Sequence, residues 1–163
     1  MLTLMRFLQV LALALWLGGT VFLSFFVAPA AFAVLPTRQL AGDLVGQLLP
    51  RLYLLSYACA VVYLLALLFE QRLVSGSLRG LVLPVALVVV MLFLLLFNHL
   101  YLGERMANLR AEMTAAFGSI DQTPREYALR LRFNRYHGVS SLLLTADLLL
   151  LVGLLALTVR RLH

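Results

Sequence analysis

Lysine is absent from this 163-residue chain; all 13 basic residues are arginine. Charge of either sign is scarce, at 12% of residues against 63% apolar, and mean hydropathy is +1.00. Disorder requires the opposite balance, low hydrophobicity with high charge, and is excluded. The same figures argue against an ordinary soluble domain, which holds about 45–50% apolar and about 25% charged residues. Cysteine occurs once, at Cys59, so no internal disulfide can form. There is no Gly-rich phosphate loop, no Ser/His/Asp or Cys/His constellation and no carboxylate pair, so the sequence points away from an enzyme. The net charge of +6 and pI of 10.2 would raise nucleic acid as a partner of a soluble protein. Here the arginines are dispersed with no aromatic-interleaved basic patch, so nucleic acid is not expected.

What is present is long apolar runs. Crossing about 30 Å of hydrocarbon takes about 20 helical residues. Runs of that kind occupy residues 7–30, 52–69, 81–102 and 139–159. They are continuous and lack the alternation of a barrel strand, so helices are the structure that satisfies their backbone in lipid. The first run exceeds the ~7–15 residues of a signal-peptide core, which favours a retained span. The sequence therefore predicts an all-α integral membrane protein. One domain over residues 1–163 holds an up-down four-helix transmembrane bundle with helical extensions of spans 3 and 4.

The connections carry their own signals. Leu40, Leu44 and Leu48 recur every four residues between Pro36 and Pro50, the pattern of a short amphipathic helix at the interface. Ser75-Gly76-Ser77 reads as a turn. Leu102, Met106, Leu109, Met113 and Phe117 form a stripe at helical spacing that ends at Gly118. Thr123-Pro124-Arg125-Glu126 has the form of a capping box, so a helix is expected from near Pro124. Residues 103–136 would make an extramembrane hairpin, or fold onto the membrane at Gly103 and Gly138. The stripe would serve as the hairpin's own core or dock a partner.

Arginine placement bears on orientation. The termini and second loop hold Arg6, Arg72, Arg79, Arg160 and Arg161; the first and third loops hold the other eight, spread over far more chain. Arg160-Arg161 lies directly at a span end, where the positive-inside rule is strongest, and this favours both termini inside. The arginines suit lipid headgroups, which their forked, permanently charged side chains bind well.

Asp147 is the one acid deep in a span, so it should face the bundle and find a partner. Thr20, Tyr57, Tyr63 and Trp16 are the candidates, for a proton or ion relay or for interhelical bonding by a protonated acid. His99 closes the third span and His137 opens the fourth, accompanied by Asn98, Tyr101, Asn134 and Tyr136. The pair could ligate a metal or haem iron, although no HxxH, CxxC or ExxH spacing supports it. Interfacial bonding of each histidine is the alternative. Ligand-binding candidates are thus Trp16, Asn98, His99, Asn134, His137, Ser140 and Asp147; no cofactor is specified. Trp16-Leu17-Gly18-Gly19 places small residues where helices approach closely.

Three stretches carry a family resemblance: Leu15-Trp16-Leu17-Gly18-Gly19, Ala41-Gly42 through Leu49-Pro50-Arg51-Leu52-Tyr53, and Phe133-Asn134-Arg135-Tyr136-His137-Gly138-Val139-Ser140-Ser141-Leu142. Together they resemble the transmembrane protein 205-like family, catalogued in bacteria as domain of unknown function 4149. His137, Gly138 and Ser140 match its most specific element, and Trp16, Gly18, Pro50 and Tyr53 also match. The family tends to carry an amide near the position of Asp147. The resemblance implies a four-span protein without an established activity, in a bacterial inner membrane. A weaker similarity, in the Trp-x-Gly-Gly start, is to the copper-resistance protein D family, whose additional spans and histidine or methionine sites are missing here. Three functions follow as expectations: binding of a small molecule, lipid or partner between helices at the long-loop end; metal or haem handling by His99 and His137; or assembly with a membrane protein or a second copy.

Overall fold

The computed structural model describes residues 1–74 and 78–162. The turn read at Ser75-Gly76-Ser77, and His163, lie outside the described residues. Four long helices account for most of the chain: α1 (Leu2–Val34), α2 (Arg38–Val74), α3 (Val82–Phe117) and α4 (Ala128–Leu162). There is no strand among the described residues, and each helix is long and apolar enough to cross a membrane. α1 packs most extensively on α2 and also meets α4, while α3 runs along α4. Leu54, Val82, Phe93, Leu142 and Leu149 are each 66–70% exposed. Side chains of that kind on the outside of a bundle are suited to hydrocarbon, not water.

The bundle interior is apolar at mid-height and polar toward both ends. Leu13, Leu67, Val88, Met91, Leu151 and Leu154 are fully buried in one cluster. Toward the termini, Glu70 accepts hydrogen bonds from Arg6 Nε at 2.9 Å and from Gln9 Nε2 at 2.7 Å. Nearby, the Tyr63 hydroxyl donates to Thr158 Oγ1 at 2.9 Å, while Thr158 itself donates to the Leu154 carbonyl. These bonds close the acid and hydroxyls that low dielectric would otherwise penalise.

The helices are 33–37 residues long, more than the about 20 that cross a bilayer, and the long-loop end has its own contacts. Pro50 does not end the preceding helix: residues 38–74 form one continuous α2, in place of a separate interfacial helix. Proline removes one backbone donor here, and the long run of bonds on either side holds the helix together. The stripe of α3 is the core of the extension, with Leu102, Leu109 and Met113 buried. Gly118 takes a left-handed φ of 78° and stops the helix, as its position suggests. α4 starts at Ala128, four residues past Pro124. The Thr123 hydroxyl donates back to the Ser119 carbonyl, so it caps no helix N-terminus, and Arg130 bonds the carbonyls of Ile120 and Thr123 to hold the turn. Arg110 joins the start of α2 to this end through Asp43 at 2.5 Å and lies over the Phe133 ring.

Candidate functional site

Two of the four helices depart from α-geometry at this end of the bundle. A π-helical turn covers Phe22–Val27 of α1 and another covers Phe97–Leu102 of α3. Such turns are rare and widen the helix so that side chains shift position round it. The second turn carries Asn98 and His99 and sends them to different neighbours. Asn98 reaches α4: its Nδ2 donates to the Ser140 carbonyl at 3.1 Å and its Oδ1 accepts from Ser140 Oγ at 2.7 Å. His99 reaches α2. It shares a hydrogen bond of 3.2 Å with the Tyr57 hydroxyl through Nδ1, and its ring lies 5.0 Å from that of Tyr53.

Deeper in the bundle lies Asp147, at 1% exposure. The Trp16 indole N–H faces its carboxylate without closing a hydrogen bond of normal geometry. Tyr53 stands within electrostatic reach of the same carboxylate and of Tyr57. Four buried side-chain polar atoms among the described residues have no hydrogen-bond partner: Trp16 Nε1, Tyr53 Oη and both carboxylate oxygens of Asp147. They belong to three residues of three helices, gathered in one place. Elsewhere the interior polar groups are paired, so the orphans are concentrated where a carboxylate, two aromatic donors and the Tyr57–His99 pair converge.

The expected partners of Asp147 are thereby sorted. Trp16 faces it. Thr20 donates to the Trp16 carbonyl of its own helix, Tyr63 to Thr158, and Tyr57 is engaged with His99. Tyr53, which the sequence marked only as a family match, takes the place beside it. On α4, Ser140 is buried, whereas Asn134 and His137 are exposed. At about 100° per residue, His137 sits roughly 60° round the helix from Ser140 and Asn134 roughly 120° away. His137 stacks on Phe133 one turn back, so His99 and His137 have separate neighbours. Among the described residues no group of three or more His, Cys, Asp or Glu gathers as a metal site would.

The family model for a domain of unknown function, DUF4149, matches residues 11–115. The chain belongs to this family. The DUF4149 match takes in Trp16, Tyr53, Asn98 and His99, and ends within α3. The element from Phe133 to Leu142, and Asp147, lie beyond it. No curated protein and no solved structure matches the chain.

Proposed function

We propose that this DUF4149 protein is a non-enzymatic membrane protein that binds a small molecule, lipid or partner group between its helices, at the end bearing the long loops. The observation that carries this reading is the set of unpartnered polar atoms on Trp16, Tyr53 and Asp147. Each such group in a membrane interior costs several kcal/mol, about 2–7, unless something completes its bonding. A ligand group supplies that completion. The apolar belt of Leu13, Val88, Met91, Leu151 and Leu154 separates this place from the Tyr63–Thr158 bond. On α4, Asp147 and Thr158 are 11 residues or roughly 16 Å apart. In this reading the site is confined to one end of the bundle and is not a path across the bilayer.

The reading places the protein in a bacterial inner membrane with both termini cytoplasmic, and extends its kinship to the transmembrane protein 205-like proteins. The test is extraction of the protein in mild detergent, followed by mass spectrometry of what accompanies it. A non-protein component should be present in the wild type and depleted in Asp147→Asn and Tyr53→Phe. Identical profiles in all three would remove the site. A second role, contact with anionic lipid, is favoured by the exposure of Arg38, Arg51, Arg105, Arg125, Arg132 and Arg135 on the long-loop side. Each is worth about 1 kcal/mol near such a surface, so vesicle affinity should fall as salt rises.

A further inference from the structure

We infer that the ligand is a lipophilic organic cation, a protonated amine on an apolar body, with Asp147 as its anionic anchor. This rests on the reading above, that the site binds a ligand at all, and names its chemical class. The ion pairs seen among the described residues are Arg6–Glu70 and Arg110–Asp43, and neither includes Asp147. Neither of its oxygens closes a hydrogen bond of normal geometry, although the Trp16 N–H faces them, and the side chain is 1% exposed. An ionised carboxylate repels an anion, and a neutral donor would leave its charge uncompensated. An ammonium group supplies both the N–H donors and the opposite charge.

The surroundings favour the same class. Trp16 and Tyr53 flank the carboxylate, and the Tyr57 and His99 rings stand next to Tyr53. The Trp16 N–H is itself a donor aimed at the carboxylate, so it shares the carboxylate with the cation. Tyr53 Oη adds a further open acceptor. Leu13, Met91 and Leu151 are fully buried in the same cluster as Trp16 and Tyr53, and these apolar surroundings suit a hydrocarbon or aromatic body. Tyr57 and His99 are only half-buried and stand in front of buried Tyr53.

Trp16 is the chain's single tryptophan, so its fluorescence reads this place alone. The protein in phosphatidylcholine vesicles is titrated with octylammonium, octanol and octanoate, three probes that differ only in head group. Octylammonium should change Trp16 emission saturably, and octanol and octanoate should be weaker by about tenfold or more. Asp147→Asn should abolish the preference for the cation, and Tyr53→Phe, a smaller change that keeps the carboxylate, should weaken it. If octanol or octanoate binds as well as octylammonium, or if Asp147→Asn or Tyr53→Phe keeps the full preference, the cation assignment falls and the binding site stands. If none of the three probes changes Trp16 emission saturably, both fall.

Discussion

The Asn98–Ser140 pair makes a graded prediction, because its two bonds fail differently. Ser140→Ala removes the donor to Asn98 Oδ1 and leaves that buried oxygen without a partner, while Asn98 Nδ2 keeps the Ser140 carbonyl. A stranded buried acceptor costs about 1–3 kcal/mol. Asn98→Leu keeps the volume and strands less: the Ser140 carbonyl retains its helical bond, and Ser140 Oγ can turn to the carbonyl one turn back. Its cost should be the smaller, about 0.5–1.5 kcal/mol. The double variant removes both polar groups and should cost less than the sum, by the about 0.6–1.7 kcal/mol found for interhelical bonds in membranes. The assay is reversible unfolding by dodecyl sulfate in mixed micelles, followed by Trp16 fluorescence. Additive costs, within about 0.3–0.5 kcal/mol, would mean that the two residues do not meet and would refute the packing of α3 on α4 described above.

Other outcomes follow from close contacts elsewhere. A Cβ on Gly19 would stand 3.1 Å from Leu52 Cδ1 and 3.4 Å from Leu55 Cδ2, whereas one on Gly18 meets nothing within 4 Å. Gly19→Leu should therefore destabilise by about 1–3 kcal/mol through overpacking of α1 on α2, and Gly18→Leu by no more than about 0.5 kcal/mol, in the same unfolding assay. Glu70→Ala should cost about 1–3 kcal/mol, mainly by leaving the buried Gln9 amide without its acceptor, and Gln9→Leu with Glu70→Leu should recover part of that loss. Exposed His137 should behave otherwise: His137→Ala should leave Trp16 fluorescence and stability within about 0.5 kcal/mol of wild type.

The parts of this fold that length and hydropathy decide were legible in the sequence. Four apolar runs become four helices, Gly118 ends α3, and the Leu109–Met113 stripe buries itself. The limits lie in rotation and local bonding. Asp147 had to face inward, because a carboxylate in lipid is costly, and it does. Which residue would face it depends on how each helix is turned, and the π-helical turns shift that register in a way no spacing rule records. Thr20 looked free to partner Asp147, yet a hydroxyl in a helix has a carbonyl of its own one turn back, and Thr20 uses it. Asn134 and His137 looked like companions of His99 because the end of span 3 and the start of span 4 lie on the same side of the bundle. A few residues along a helix are enough to turn them outward. Gln9 with Glu70, and Tyr63 with Thr158, were not visible as pairs, since 61 and 95 residues separate them. The capping box at Thr123 misled for a related reason: its hydroxyl bonds backward to Ser119, and the helix starts one turn later.

The central claim is that Trp16, Tyr53 and Asp147 enclose a place for a ligand group. A structure of the protein in a lipid bilayer, at a resolution that shows ordered small molecules, tests it most directly. The account predicts non-protein density within hydrogen-bond distance of the Asp147 carboxylate and Tyr53 Oη. Direct bonds from Trp16 Nε1 and Tyr53 Oη to Asp147, closing the interior with no density between them, would contradict it.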